Sequence, residues 1–357
     1  MNARTQRLIE TLPGAGVDVV LVTNLVNVGY LTGYTGSNGL ALVGPQTRTF
    51  VTDFRYVEQA AEEVDPFFER VRAPQDLIEA IGDALPDGAL RLGFEDAYVS
   101  VREHGRVREL LPERAELVPA GNLVEGLRAV KESGEVERIR AATVLADGAF
   151  QQVVGGGLIG RTEREVAIAL EQEMRTRGAQ RPSFDTIVAA GPNGALPHAK
   201  PRERGIAAGE LVVIDWGAEL DGYCSDCTRT VAAGEPGEDA RTAYDLVLAA
   251  QRKGVELVRA DADCREVDRL ARGVIDAGGH GEHFGHGLGH GVGLEVHEGP
   301  RLSQRAEGEL HAGNVVTVEP GIYLPGRFGI RIEDLVVVRE DGCEILTSVP
   351  KELIVAG

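Results

Sequence analysis

Apolar residues recur at every second position along several stretches of the chain and at every third or fourth along others, which marks strands and amphipathic helices. On that pattern residues 1–126 read as one α/β unit. Its predicted order begins with a helix over 5–12, a strand over 17–22, short strands with glycine turns within 27–44, and a strand over 47–53. Helices over 56–63 and 76–84, a strand over 89–95, a helix over 101–111 and a strand over 115–120 complete it. Strands alternating with helices imply a mixed sheet with helices on its faces. Asp53 and Arg55, just after a strand, read as a structural pair, and the unit is expected to act as support and lid.

Residues 127–357 are patterned differently. A helix over 133–154 has Ser133 as its candidate cap and stops at Gly155, Gly156 and Gly157. The next opens at Thr162, with Glu165 three residues on as a capping box, and ends near Gly178. Two more helices are predicted over 238–260 and 263–277, and strands over 183–191, 210–234 and 315–338. Helices flanking antiparallel hairpins define an α+β domain.

The stretch VVTVEPGIYLPGRFGIRIEDLVVV, residues 315–338, reads as a hairpin turning through Pro325, Gly326 and Gly329. Centred on Gly326, it sets Glu319 opposite Glu333, and Arg331 and Tyr323 share that face because side chains alternate. Burying a lone carboxylate among Val and Ile is costly unless it is protonated, paired or metal-bound. Two readings stand for this hairpin: a Glu–Arg–Glu network through Arg331, or a cation site. A second hairpin, residues 210–231, carries Asp215 outbound and Asp226 on the return, with its turn within 219–222. A loop centred there puts Asp215 opposite Asp226. A D-G turn one residue later makes them diagonal, and both registers keep the two acids on one face. Two such pairs favour metal binding over four unrelated ion pairs.

Imidazole is supplied nearby. Five of the eight histidines lie in HGEHFGHGLGHGVGLEVH, between His280 and His297. Leu288, Val292, Leu294 and Val296 interleave with them, so the run is folded and not a metal-scavenging tail. It lacks the Lys-Ser/Thr of a P-loop, and HExxH is absent. His198 stands alone in GPNGALPHAKP.

Composition narrows the partners. A chain of 357 residues is long enough for two domains, and 43% hydrophobic with 26% charged residues is ordinary for a globular protein. A formal charge of −19 argues against nucleic acid and anionic membrane as partners. No stretch approaches the ~20 apolar residues of a membrane span, and no secretory-type apolar run opens the chain, so a cytoplasmic location is expected. Cys224, Cys227, Cys264 and Cys343 are too few for a disulfide scaffold. Cys224 and Cys227 have CxxC spacing, but residues three apart on a strand point to opposite faces, which argues against a zinc ribbon.

The segments LPHAK, VVIDWGAELDGYCSDCTRT, FGHGLGHGVGLEVHEGP and VTVEPGIYLPGRFGIRIED together resemble the pita-bread metallopeptidases, in the branch of aminopeptidase P and prolidase. YLTGYTGSNG, VTDFRY and LRLGFE are similar to the creatinase-type N-terminal domain of that branch, although Phe54 stands where the family often has glycine. The resemblance implies a creatinase-like α/β N-terminal domain over 1–126 and a pita-bread α+β catalytic domain over 127–357. It implies that Asp215, Asp226, His290, Glu319 and Glu333 hold two divalent ions, with Asp226 and Glu333 bridging. It places His198, His286, His297 and Arg331 at outer catalytic and substrate-binding positions and Tyr323 at the proline-side wall. It also implies a homodimer. Four carboxylates and one imidazole suit Mn²⁺, with Co²⁺ or Zn²⁺ as alternatives.

The implied activity is hydrolysis of Xaa-Pro peptide bonds at the amino terminus of peptides. The expected enzyme is an aminopeptidase P, because no arginine stands out for a dipeptide's carboxylate. The alternative is a prolidase restricted to dipeptides. Methionine aminopeptidase, creatinase-like hydrolysis and a non-catalytic pita-bread module fit less well, since all five ligand positions are present.

Overall fold

The computed structural model describes residues 2–357, and the chain divides into two compact units that meet between Arg128 and Ala129. In the first unit, six strands form one sheet in the order Glu69–Arg72, Arg48–Thr52, Leu40–Val43, Val19–Val22, Leu90–Phe94, Ala115–Pro119. Its pairings are mixed: the three last-named strands run parallel, while Leu40–Val43 is antiparallel to both its neighbours. Leu21, Leu42, Val51 and Leu92 are fully buried at its centre. One expectation fails here. Leu25–Thr32 is a helix, where short strands were expected within 27–44. The cause is long-range: buried Glu95 accepts from the backbone N–H of Thr23 and Asn24 and from the Asn27 amide, fixing the first turn. Asn24 then caps the helix by accepting from the Val26 N–H. Asp53 and Arg55 form an ion pair at 2.7 Å.

The second unit has sheets inside and helices outside. A four-stranded sheet runs Ile354–Ala356, Cys227–Ala233, Glu210–Trp216, Ile187–Ala190. A five-stranded sheet runs Glu298–Leu302, Gly289–Gly291, Val315–Val318, Asp334–Arg339, Gly342–Ile345. Helices Ser133–Gly155 and Glu163–Thr176 pack Ala146, Phe150 and Leu170 against Ile214 and Trp216 of the first. Helices Glu238–Leu257 and Cys264–Ala277 pack Tyr244, Val247 and Ala271 against Val316 and Val336 of the second. The capping box at Thr162 and Glu165 is formed. At the long helix the cap position falls to Glu132, with Ser133 as the first helical residue, and Glu135 accepts from the Glu132 N–H at 2.9 Å.

Both hairpins keep the predicted side-chain faces. Around Gly326, Val315 pairs with Val337 and Ile322 with Ile330, one register throughout. The strands are nevertheless broken at Glu319–Pro320 and at Ile332–Glu333, between Val315–Val318 and Gly321–Leu324 on one side and Phe328–Arg331 and Asp334–Arg339 on the other. Pro320 has no N–H to donate. The glutamates' own N–H groups turn to other strands, Glu319 to the Leu288 carbonyl and Glu333 to the Thr228 carbonyl. In the second hairpin the later D-G turn is the one taken. Asp221 and Gly222 have φ of 49° and 77°, a type I′ geometry, and Asp215 therefore pairs with Thr228. Asp226 lies diagonal to Asp215, opposite Gly217, where a Cβ would sit 2.1 Å from the Ser225 carbonyl oxygen. Cys224 and Cys227 enter different core clusters and are free thiols.

Candidate active site

Period-two alternation brings the four acids together. Asp215 and Asp226 come from one broken hairpin and Glu319 and Glu333 from the other, and all four line one cavity of about 1120 Å³. Asp215, Asp226 and Glu333 each offer an oxygen within 4.8 Å of the others. His290, on the strand Gly289–Gly291, aims Nε2 at this group, 3.3 Å from Glu319 Oε1 and 3.6 Å from Asp226 Oδ2. Its Nδ1–H donates to the Gly291 carbonyl at 3.1 Å, which leaves Nε2 as the free lone pair. Burial, reinforced by the neighbouring His297, pushes the His290 pKa down to about 3, so the ring is neutral.

The acids are shifted the other way. Burial first, then repulsion from Glu333 and Asp215, pushes Asp226 well above the carboxylate range. Glu333 is pushed up by the same causes, with Glu319 and Asp215 repelling it. Glu319 rises to about 7, mainly by burial. Four clustered acids outnumber the positive charge of Arg331, which pairs with Asp215. Two oxygens make the deficit concrete: Asp215 Oδ1 and Glu333 Oε1 are buried and have no hydrogen-bond partner. Buried polar atoms in folded proteins are for the most part hydrogen-bonded. Oxygen-rich donors with one imidazole, two of the oxygens orphaned, fit divalent cations.

One reading of the hairpin had Arg331 linking Glu319 and Glu333. Its ion pair is with Asp215 instead, Nη2 to Oδ2 at 2.5 Å. It reaches Glu333 through Thr228, whose hydroxyl accepts from Arg331 Nε at 2.9 Å and donates to Glu333 Oε2 at 2.7 Å. Arg331 Nη1 donates to the Tyr323 hydroxyl at 2.8 Å, and that hydroxyl donates on to His286 Nε2 at 2.9 Å. The His286 Nδ1–H is spent on the Gly287 carbonyl, so this order of donors is the one the tautomer allows. Burial and the Arg331 charge lower the His286 pKa to about 4, which keeps its Nε2 an acceptor. Tyr323 is itself buried and joins two cavity-lining groups, Arg331 and His286, through its hydroxyl.

His198, His286 and His297 all line the cavity. His198 and His297 are exposed on its rim, and the His297 ring meets His290 edge to face, centroids 4.4 Å apart. Three contributors escaped the sequence reading. Thr228 and Thr317 are fully buried, and Thr317 accepts from the His290 N–H and donates to Glu319. Each lies two residues from an acid, so the alternation that found Asp226 and Glu319 also points to them. Arg301 is the third: it pairs in register with His290 and lines the same cavity.

The reverse faces of these strands are anchored. Trp216, next to Asp215, stacks on Phe150 at 4.1 Å and donates to the Ala146 carbonyl. Asp334, next to Glu333, pairs with buried Arg229 at 2.9 Å and accepts from Gln251, Thr347 and Lys351. Arg229 also donates to the Glu333 carbonyl.

The family models match this arrangement. Metallopeptidase family M24 matches residues 137–340, and the creatinase/prolidase N-terminal domain matches residues 4–130. An Xaa-Pro dipeptidase of Pyrococcus horikoshii is 37% identical over 358 residues, 99% of both chains. A solved Xaa-Pro dipeptidase from Bacillus anthracis superposes with a TM-score of 0.94 at 40% identity, covering 99% of each chain. An X-Pro aminopeptidase from Thermotoga maritima superposes with a TM-score of 0.89 at 39% identity, covering 99% of this chain and 100% of that one. Matched by the family model over residues 137–340 and by relatives along nearly its whole length, this chain belongs to metallopeptidase family M24.

Proposed function

We propose that this chain is an Xaa-Pro dipeptidase, a prolidase, in which Asp215, Asp226, His290, Glu319 and Glu333 hold two divalent ions, Mn²⁺ by preference. The observation that carries the reading is the convergence of these five side chains with Arg301 in one cavity. The expectation of an aminopeptidase P rested on the want of an arginine for a dipeptide's carboxylate. Arg301 fills that place, and relatives named Xaa-Pro dipeptidase support the narrower specificity. The bound ions would supply Lewis-acid chemistry, polarising the scissile carbonyl and acidifying water.

The chain's own groups do the rest. Glu319, facing the cavity, takes a proton from the attacking water and returns it to the proline nitrogen. His297 and His198, on the rim, donate to the substrate carbonyl as charge builds on it. Phe184, Ile187 and Pro197 give the cavity an apolar side for the proline ring, beside His286. An Xaa-Pro bond has no N–H to recognise, so this wall needs no acceptor there. Arg331 fixes Asp215 directly and Glu333 through Thr228, and Tyr323 fixes the His286 tautomer.

The test is hydrolysis of Ala-Pro beside Ala-Pro-Ala and Ala-Ala, with metal restored after chelation. A dipeptidase cleaves Ala-Pro fastest, and Arg301→Ala raises its KM about tenfold or more while sparing kcat. Ala-Pro-Ala cleaved as fast as Ala-Pro returns the reading to aminopeptidase P, the activity named for the Thermotoga relative. Equal rates on Ala-Ala and Ala-Pro remove both. The same reading includes a cytoplasmic homodimer, supported by the family resemblance; sedimentation showing a fully active monomer would remove the dimer.

A further inference from the structure

The histidine run holds five imidazoles, and the cavity uses His286, His290 and His297. His280 and His283 are left over, flanking Gly281 and Glu282 on the turn Gly281–His283 that follows the helix Cys264–Ala277. Their Nδ1 atoms converge to 3.4 Å, with ring centroids 5.4 Å apart. That separation is longer than the ~2.7–3.2 Å of an ordinary N–H hydrogen bond. An ion ~2.0–2.1 Å from each of two imidazole nitrogens, in tetrahedral geometry, holds those nitrogens about 3.3–3.4 Å apart and the ring centres about 5 Å apart. The pair has the bite of a chelate.

The turn that carries the pair packs on the helix. Asp276 Oδ1 lies 2.2 Å from the position a Cβ would take on Gly281, so only glycine leaves the acid room against the turn that carries both rings. The helix ends at the same place, its last carbonyls taken by the N–H groups of Gly278, Gly279 and His280. A helix C-terminus favours positive charge.

We propose that His280 and His283 form a second metal site, separate from the acidic cavity, for one ion of the Zn²⁺, Ni²⁺ or Cu²⁺ class. Two imidazoles select such ions over Mn²⁺ or Mg²⁺, and water completes the coordination. The bound ion ties together the two ends of the turn that leads into His286. Arg272 of the same helix already holds that segment through the carbonyls of Phe284 and His286.

The test is zinc titration of the Mn²⁺-loaded full chain by calorimetry, with elemental analysis after gel filtration, on wild type and on His280→Ala/His283→Ala. Uptake at the acidic cavity is common to both proteins, so the difference reads this site alone. Wild type should retain one more zinc per chain. The variant should bind that ion at least tenfold more weakly, with peptidase activity unchanged. His283→Gln, which keeps a polar side chain in the turn, should show the same loss should the double variant fold poorly. Equal zinc content and superposable isotherms for wild type and both histidine variants would overturn the site.

Discussion

Stripping divalent ions from the acidic cavity should invert the usual relation between pH and stability. Without them, Asp226, Glu319 and Glu333 are buried against one another and Asp215, with Arg331 paired to Asp215. Glu319 has a folded pKa of about 7 against an ordinary value of 4.5. A pKa raised by folding means the folded state holds the proton more tightly. The corresponding stability is fully present below the unfolded value and is lost as pH rises through the folded one. A gap of about two and a half pH units, at ~1.4 kcal/mol each, makes that loss about 3 kcal/mol between pH 4.5 and 7 for Glu319 alone. Asp226 and Glu333 are shifted in the same direction and add to it. With ions bound, the carboxylates stay ionised and compensated, and the loss disappears. Trp216, the single tryptophan, reports on this unit from its buried stack on Phe150. Urea unfolding followed by its fluorescence at pH 5, 6 and 7, with and without chelator, makes the measurement. Groups outside the cavity titrate in both samples and cancel in the difference. A chelated protein as stable at pH 7 as at pH 5, or a metal-loaded one with the same pH trend, would refute the reasoning.

Three further outcomes are expected. Glu333→Ala should abolish peptidase activity and lower bound metal, and two ions per chain with normal turnover in that variant would count against the ligand assignment. His297→Ala should lower kcat by ~10²–10³ while metal content holds, since the ring stands on the cavity rim and serves the substrate carbonyl; loss of metal would make it a ligand. Arg272→Ala should cost about 3–5 kcal/mol in urea unfolding, because it leaves fully buried Asp268 without its partner; a change under ~0.5 kcal/mol, the scatter of surface substitutions, would show that the pair is dispensable.

The parts of the fold set by local pattern were legible in the sequence. Alternation and the turn chemistry at Gly326 give the register that sets Glu319 across from Glu333; for the other hairpin the sequence left two registers open, both with the acids on one face, and the structure takes the D-G turn at Asp221. The capping box at Thr162 needed nothing beyond its own spacing. What was not legible depends on partners far along the chain. The helix Leu25–Thr32 is fixed by Glu95, about 70 residues away. Arg331 lies on the same face as Glu333, yet its carboxylate partner, Asp215, comes from the other hairpin, 116 residues distant. Arg301 sits in a stretch with no motif of its own and enters the cavity only because its strand pairs with that of His290.

Glu333 and Asp334 look interchangeable in the sequence, two adjacent acids in an apolar strand. They are not spares for each other. One faces the cavity and the other faces Arg229, so a single-residue slip of this strand would carry the shorter acid to the ions and leave the longer one against the guanidinium. Swapping the two identities conserves composition and net charge while spoiling both sides of the sheet at once. An engineer reshaping this enzyme has one strand here with two clients back to back, and no substitution at one position can be judged by its effect on that client alone.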